Sequence, residues 1–163
     1  MEWEAELKHL YVSDGHSYLG RHGKGSVRHE LSDQDSIECV AGRGIRGDRY
    51  FDFKENYKGQ ITFFENGVYE AVKEKFALPD LDSWAFRRNV VLAGVPLPEL
   101  IGRRFSLQGI EFEGVEEAAP CYWMDEACAE GAEEFLKGKG GIRARILSDG
   151  ELKRGTGTLQ VLP

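Results

Sequence analysis

Alternating apolar and polar residues predict short β-strands along most of the chain. The alternation is clearest in Ala5–Val12, where one face would be buried and the other solvated. Further runs rich in apolar and β-branched residues are bounded by turn residues, which is typical of strands. They lie at Ile37–Ala41, Gln60–Glu65, Arg88–Ala93, Arg103–Leu107, Ile110–Val115, Ile142–Leu147 and Leu152–Val161.

Two dipeptides predict tight turns between neighbouring strands. Gln108-Gly109 separates Arg103–Leu107 from Ile110–Val115, and Asp149-Gly150 separates the last two predicted strands. Glycine favours such two-residue turns because it adopts positive φ without strain. We therefore expect both strand pairs to form antiparallel hairpins.

Two segments have helical character. Apolar residues recur at helical spacing over Gly67–Phe76, with Asn66 as the predicted cap and Pro79 as the stop. The second predicted helix, Tyr122–Leu136, ends before the glycines of Gly138–Gly141. Helices are therefore a minor part of the fold.

These elements predict a mainly β protein with two or more helices. The regular alternation of strands and helices that a doubly wound sheet requires is missing, which favours a closed or partly closed antiparallel β-barrel. A chain of 163 residues can bury one hydrophobic core, and no linker, repeat or low-complexity segment divides it. We expect a single domain spanning residues 1–163.

The charge balance argues against two classes of partner. The net charge is −7, whereas nucleic acids and acidic membranes are bound by basic surfaces. The segment Met1–Glu4 is acidic and has no features of a secretory signal, and no apolar run reaches the roughly 18–20 residues that span a bilayer. Three cysteines without framework spacing fit a reducing compartment. We expect a cytoplasmic protein that binds neither nucleic acid nor membranes.

The arginines are concentrated in a few places and suggest an anion site. The loop Gly44–Arg49 combines glycines, which allow close backbone approach, with arginines suited to phosphate. Arg143 and Arg145 stand two positions apart on a predicted strand, so both side chains would share one face. The alternative for such pairs is a solvated strand face balanced by glutamates, among them Glu111 and Glu113.

Cys121 has the clearest chemical potential. It lies between a predicted strand and the predicted helix Tyr122–Leu136, where the first-turn N–H groups favour a thiolate. The acidic residues around it, such as Glu117 and Asp125, oppose thiolate formation. A thiol near an anion site suggests either a soft metal held with a phosphorylated cofactor or a redox thiol beside a charged substrate.

The other cysteines have simpler interpretations. Cys128 lies two helical turns after Cys121 and would either resolve an oxidised Cys121 or be a buried structural residue. Cys39 is expected in the core. A zinc site formed by the three cysteines lacks recognised ligand spacing. Among the histidines, only His22, beside Gly23 and Lys24, attracts attention.

Five motifs, taken in order, resemble the MOSC domain, named after the C-terminal part of molybdenum cofactor sulfurases. The similarity covers the chain from about Gly20 onward, and it implies a β-barrel like the barrel domain of pyruvate kinase. The motifs are Gly44-Ile45-Arg46-Gly47-Asp48-Arg49, Gln60-Ile61-Thr62, Arg87-Arg88-Asn89-Val90-Val91, Pro120-Cys121 and Gly141-Ile142-Arg143-Ala144-Arg145.

The resemblance implies a pocket for the molybdenum cofactor, a pyranopterin with a phosphate group and a dithiolene-bound metal. Cys121 stands where the family has its cysteine, and it would ligate molybdenum or carry a persulfide sulfur. The family also has a general association with pyridoxal phosphate. Charge-assisted bonds to the cofactor would come from a set of residues: Lys24, Ser26, Gly47, Asp48, Arg49, Arg88, Asn89, Arg143 and Arg145.

Two departures from the family pattern bear on activity. Gly155 is followed by Thr156 where the family often has aspartate, and the chain has no flavin, haem or iron–sulfur signature. Reduction of a small N-hydroxylated substrate, which the resemblance suggests, would therefore need an electron-donor protein. The alternatives are a non-catalytic sulfur-delivery module served by a sulfur-donor protein, and a thiol redox protein that uses Cys121 and Cys128.

Overall fold

The computed structural model describes residues 1–13, 31–121 and 123–163. The strands in these ranges are β1 (Glu2–Val12), β2 (Ser32–Asp33), β3 (Ser36–Val40), β4 (Gly44–Ile45), β5 (Ile61–Glu65), β6 (Val90–Ala93), β7 (Arg104–Leu107), β8 (Ile110–Glu117), β9 (Ile142–Ile146), β10 (Gly150–Lys153) and β11 (Gly155–Val161). The helices are α1 (Asn66–Lys75), α2 (Trp123–Ala127) and α3 (Ala132–Leu136), with short 3-10 helices at Ser83–Phe86 and Leu97–Leu100.

Seven strands form a closed barrel. They follow in the order β1, β11, β7, β8, β9, β5 and β6, and β6 pairs back with β1. Every neighbouring pair is antiparallel except β5 and β6, which are parallel and are connected through α1 and the first 3-10 helix, because parallel neighbours need a crossover. The predicted mainly β barrel is confirmed, with one parallel pair that the strand pattern did not indicate.

Apolar side chains fill the barrel because side chains alternate between the two faces of a strand. In β9, Ile142, Ala144 and Ile146 are buried, whereas Arg143 and Arg145 face outward and are half-buried. The same alternation recurs along β8, with its buried positions inside the barrel. The two arginines of β9 therefore share one face, as predicted.

Three phenylalanines occupy the centre of the barrel. Phe63, Phe105 and Phe112 are completely buried. Their ring centroids lie 5.4 to 5.7 Å apart, which is the range of favourable aromatic pairs. They belong to one continuous apolar cluster that also includes Cys39, whose predicted core position is confirmed.

A second apolar cluster packs the helices against the outer face of β5. Phe64 points away from its neighbour Phe63 and stacks on Phe86, with ring centroids 4.7 Å apart. Trp123 of α2 and Leu136 of α3 are buried in the same cluster. This cluster fixes α2 beside the barrel, immediately after Cys121.

The first predicted hairpin is confirmed. β7 and β8 pair in register from Arg104 opposite Glu113 to Leu107 opposite Ile110. Both turn residues between them have positive φ, 51° at Gln108 and 81° at Gly109. These angles are those of the tight turn that suits the twist of two strands.

The second predicted hairpin, between Ile142–Leu147 and Leu152–Val161, is wrong. β9 pairs with β8 and β5, and β10 pairs with β3 in a separate small sheet completed by β4. The Asp149 carboxylate accepts the N–H of Ala41 at 2.7 Å, which ties the dipeptide to the end of β3. Gly150 packs against Ile110 so closely that a Cβ would clash with that side chain. Contacts with distant residues, and not a tight turn, therefore explain why aspartate and glycine stand at positions 149 and 150.

The predicted helix over Tyr122–Leu136 is interrupted. α2 ends at Ala127, and α3 begins after Gly131, which has a φ of 95°. The Asp125 carboxylate accepts the N–H of Glu133 at 2.8 Å, so a side chain of α2 satisfies the start of α3. Cys121 and Cys128 therefore do not lie on one continuous helix.

Two predicted element ends also differ. Asn66 is the first residue of α1 and not its cap; the capping position belongs to Glu65, which makes no side-chain capping bond. The strand predicted from Arg88 begins instead at Val90, because Arg87 has a left-handed backbone conformation.

Within the described residues, none of the helices is both long and apolar enough to span a bilayer.

Candidate functional site

A cavity of about 230 Å³ brings together several of the predicted site residues. It is lined by Arg49, Arg87, Arg88 and Arg143 together with Cys121, and we call this set the arginine pocket. The described residues that line it include no aspartate or glutamate. A protein with a net charge of −7 thus has a cavity whose described charged lining residues are arginines.

Four parts of the fold supply these side chains. Arg49 belongs to the irregular connection between β4 and β5, and Arg143 lies on the outward face of β9. Arg87 and Arg88 lie between the first 3-10 helix and β6. Cys121 ends the connection from β8 and precedes α2. The pocket is therefore assembled by tertiary structure from sequence motifs that are far apart.

The side chain of Arg49 is almost completely buried at the pocket. Its side chain is 6% exposed, and its Nη2 donates to the Arg87 carbonyl at 3.3 Å. The Nη1 atom has no hydrogen-bond partner within the described ranges and lies 3.8 Å from the Asp48 carboxylate. A buried donor without a hydrogen bond is costly, so this atom is suited to an anionic ligand.

The carboxylate of Asp48 bonds to backbone N–H groups and thereby shapes the loop. Its two carboxylate oxygens accept the N–H groups of Ser13 at 3.0 Å and Tyr50 at 3.3 Å. Gly47, with a φ of 87°, forms the preceding turn and is exposed. Asp48 and Gly47 therefore orient Arg49, and neither residue lines the arginine pocket.

Arg87 has a left-handed backbone, with φ of 61° and ψ of 35°. Neighbouring residues of an extended strand point to opposite sides. The conformation of Arg87 interrupts this alternation, and both Arg87 and Arg88 reach the same cavity. Burial, reinforced by the nearby charge of Arg49, lowers the pKa of Arg87 to about 10.

Arg88 donates to three backbone carbonyls. Its Nε donates to Gly140 at 2.9 Å, its Nη1 to Phe86 at 3.1 Å and its Nη2 to Ala118 at 2.8 Å. Burial, followed by repulsion from Arg143, lowers the pKa of Arg88 to about 10. The pocket therefore contains like charges that destabilise one another, and a bound anion would relieve this repulsion.

Arg143 and Arg145 share a strand face but have different surroundings. Arg145 lies outside the lining of the pocket, and its Nη1 donates to the Glu113 carboxylate at 3.0 Å. Arg143 lines the pocket with its side chain 35% exposed, and its Nη1 is 3.7 Å from Glu116. The Glu116 carboxylate is held more closely by Lys58, at 2.7 Å, and this contact lowers its pKa.

Cys121 is exposed at the edge of the arginine pocket. Its carbonyl accepts the N–H of Met124 at 2.9 Å, which begins the turn into α2. Upstream, the N–H of Ala118 donates to the Gly141 carbonyl at 2.8 Å. Gly140 packs so closely against the Ala118 carbonyl that a side chain there would clash. The thiol is thus accessible, although the chain that carries it is well anchored.

The other two thiols lie outside the lining of the pocket. Burial raises the pKa of Cys39 to about 12, and burial together with Asp125 raises the pKa of Cys128 to about 11. Cys128 is half-buried and packs against the second apolar cluster. Across the described ranges, no three His, Cys, Asp or Glu side chains gather to hold a metal ion.

Asn89 is used inside the protein. Its side-chain oxygen accepts from the backbone and hydroxyl of Thr62 at 3.0 and 3.1 Å. Its side-chain nitrogen donates to the Tyr11 carbonyl at 3.1 Å. Asn89 therefore connects β5 and β1 at the start of β6, and it is not among the described lining residues of the pocket. Lys24, Ser26 and His22 lie outside the described residues.

The site also contains residues that the sequence analysis did not assign to it. Arg87 was missed as a site residue because strand alternation places neighbours on opposite faces. Tyr50 and Tyr57 line one side, with ring centroids 5.4 Å apart, and the Arg49 guanidinium lies 4.9 Å from the Tyr50 ring centre. Burial raises the pKa of Tyr57. The only sequence signal for these tyrosines is the density of aromatic residues in the irregular connection between β4 and β5.

The fold and the site define a small β-barrel protein with an arginine-lined pocket and an accessible thiol. The family model of the MOSC domain matches residues 42–157. The chain therefore belongs to the MOSC domain family. The match includes Arg49, Arg88, Cys121 and Arg143. Comparison with functionally curated proteins gave no significant match.

Solved structures support the same fold. The YuaD protein from Bacillus subtilis has a TM-score of 0.78 at 18% identity, with 100% of this chain and 98% of that chain covered. YiiM from Geobacillus stearothermophilus has a TM-score of 0.69 at 14% identity, covering 98% of this chain and 75% of that one. YiiM from Escherichia coli has a TM-score of 0.66 at 15% identity, covering 100% and 70%.

Proposed function

We propose that the arginine pocket binds the molybdenum cofactor, with Cys121 as the protein's ligand to molybdenum. The observation that carries the proposal is the convergence of four arginines and one exposed thiol on a cavity without acidic lining residues in the described ranges. Guanidinium groups suit the phosphate of the cofactor, and a thiolate suits a soft metal.

The residues present fit this group. Arg49 has a buried Nη1 without a hydrogen-bond partner among the described residues, as expected of a donor whose partner is a bound anion. In the described ranges no cluster of protein metal ligands is found, and the cofactor itself would bring further donors to the metal. The dithiolene of the cofactor would provide them.

The volume of the pocket limits what it encloses. At about 230 Å³ it is smaller than the roughly 300–1,000 Å³ of pockets that surround a whole drug-sized ligand. We therefore assign it to the charged and metal-bearing part of the cofactor. When bound, the cofactor supplies a redox-active metal centre. Arg49, Arg87 and Arg143 would neutralise its anionic groups, and the buried Trp123 and Met124 would keep water away from one side.

The finer activities remain predictions of the family resemblance. Reduction of N-hydroxylated substrates would need an electron-donor protein, and pyridoxal phosphate binding has no separate support from the described residues. Sulfur carriage has one specific observation in its favour, since Cys121 is the exposed thiol among the three cysteines. It is therefore the second candidate function.

The test is the molybdenum and pterin content of protein purified without oxygen from a host that makes the cofactor. We expect near-stoichiometric metal and pterin in the wild type. Cys121→Ala should lose the metal, and Arg49→Met should lose both components. Cys128→Ala is the matched control because this half-buried thiol does not line the pocket, and it should behave as the wild type does.

Other outcomes discriminate between the candidates. Wild-type protein without molybdenum or pterin would refute the proposal. A Cys121→Ala variant that retains the metal would refute the ligand role of the thiol. A persulfide on Cys121 after sulfur loading, detected by mass spectrometry, would then favour sulfur carriage.

A further inference from the structure

We propose that Arg88 is a positioning residue for Cys121, and that it does not itself bind the anionic ligand. Its guanidinium bonds to the backbone of Phe86, Ala118 and Gly140, and Cys121 follows Ala118 by three residues. The inference rests on the proposed function only in taking Cys121 as the functional thiol. It assigns the conspicuous arginine of the Arg87-Arg88-Asn89 motif to a role different from that of Arg49.

The hydrogen bonds of Arg88 all go to the backbone of the protein. Its partners are the carbonyls of Phe86, Ala118 and Gly140, at 2.8 to 3.1 Å. Ala118 and Gly140 lie 30 and 52 positions away in sequence. A planar guanidinium with several donors in fixed directions is suited to such a three-way connection.

Ala118 links Arg88 to the segment that carries the thiol. Its carbonyl accepts from Arg88 and its N–H donates to Gly141, so this residue is held on both sides. Only Ala119 and Pro120 separate it from Cys121, and the proline ring fixes one of the backbone torsions between them. The location of the thiol relative to the pocket therefore depends on the Ala118 anchor.

Arg88 differs from the neighbouring arginines in its hydrogen bonds. Three nitrogens of Arg88 already donate to backbone carbonyls, whereas Arg49 keeps a buried Nη1 without a hydrogen-bond partner in the described part of the chain. Arg143 lies 3.7 Å from the Glu116 carboxylate, and no hydrogen bond joins it to the described part of the segment that carries Cys121. Arg49 and Arg143 are therefore better placed than Arg88 to bind a ligand.

Three variants separate positioning from anion binding. Arg88→Lys keeps the charge but loses the planar fork, Arg88→Met loses both, and Arg143→Met is the control that removes a charge lining the same pocket. Cofactor-free protein is used, with inorganic phosphate as the anion. The readouts are amide hydrogen exchange at Ala118 and Met124, the rate of Cys121 alkylation by iodoacetamide, and the phosphate dissociation constant.

We expect Arg88→Lys and Arg88→Met to behave alike in amide exchange. Exchange at Ala118 and Met124 should accelerate at least about tenfold, because the bonds of this segment lose their anchor, and the alkylation rate of Cys121 should change severalfold. Phosphate affinity should fall less than about tenfold in Arg88→Lys. Arg143→Met should weaken phosphate binding by about tenfold or more, a loss of one charged contact, with exchange at Ala118 and Met124 unchanged.

Three results would overturn the proposal. The first is wild-type exchange at Ala118 and Met124 in Arg88→Lys. The second is an equal acceleration at barrel amides such as Phe112, which would indicate a general loss of stability. The third is an effect of the Arg88 variants on phosphate affinity alone.

A measurement on the wild type keeps the proposal testable if the variants do not fold. The Arg88 Nε–H signal in nitrogen-15 NMR should be protected from exchange and should not shift when phosphate is added. The corresponding signal of Arg49 should shift. A phosphate-dependent shift at Arg88 comparable to that at Arg49 would contradict the inference. Because these experiments use no molybdenum, their failure is distinct from a failure of cofactor binding.

Discussion

The barrel interior and the arginine pocket are built by opposite rules. Inside the barrel, Phe63, Phe105 and Phe112 contact one another and are completely buried. In the pocket, Arg87 and Arg88 have lowered pKa values because burial and neighbouring charges penalise their charged forms. The interior is held by apolar contacts, whereas the pocket brings together four arginines with no carboxylate among its described lining residues. The comparison separates a region that depends on apolar burial from one that depends on hydrogen bonds and charge.

The largest expected effect is in the interior. Phe112→Ala should reduce the free energy of unfolding by about 3–5 kcal/mol, because it removes a fully buried ring and leaves a cavity between Phe63 and Phe105. Urea denaturation measures the loss. If the two regions are separate, folded Phe112→Ala should still gain thermal stability from phosphate as the wild type does. A loss below about 1 kcal/mol would contradict the description of the core.

A smaller effect is expected where the two regions meet. Gly141 has a φ of 89°, and a Cβ there would clash with the Phe63 carbonyl oxygen. Gly141→Ala should therefore cost at least about 2 kcal/mol from backbone strain and the clash together. It should also accelerate exchange at Ala118, whose N–H donates to the Gly141 carbonyl.

Gly138→Ala is the matched control for this prediction. Gly138 has a φ of 80°, and no atom of the described residues outside its immediate chain neighbours lies within 4 Å of an added Cβ. Its substitution should cost only the strain of the left-handed backbone, about 1 kcal/mol. Equal costs for the two variants in urea denaturation would show that the close approach of Gly141 to Phe63 does not matter.

The smallest expected effect is in the pocket. Arg87 has a φ of 61°, which glycine adopts without strain. Arg87→Gly and Arg87→Ala both remove the guanidinium, so the difference between their free energies of unfolding measures the effect of the backbone conformation. We expect Arg87→Gly to be more stable by about 0.5–1 kcal/mol, since relief of strain exceeds the entropy cost of glycine. Both should bind phosphate more weakly than the wild type, and a more stable alanine variant would refute the explanation.

Local signals in the sequence were sufficient for some elements and misleading for others. Gln108-Gly109 forms the predicted hairpin because the two turn residues and their flanking strands determine it. Asp149-Gly150 carries a similar signal, but its carboxylate bonds to Ala41 and its strands pair elsewhere. A dipeptide does not reveal whether its constraint is local or tertiary.

The site was predictable in composition and not in the roles of its residues. Cys121, Arg49 and Arg143 line the same cavity. The sequence analysis expected this combination of a thiol and phosphate-suited arginines. Asp48 and Asn89 belong to the same motifs, but their side chains bond within the protein. These roles depend on partners far along the chain, which no single motif contains.

Closure of the barrel has a consequence for folding. β1 pairs with β11, so that Glu2 lies opposite Gln160. Contacts between residues so far apart in sequence form slowly, because the chain must lose much of its freedom before they stabilise the product. During synthesis, β11 leaves the ribosome after every other strand described, and until then β1 and β7 lack one neighbour each. The growing chain therefore presents open strand edges, which favour association with other chains until the last strand closes the ring.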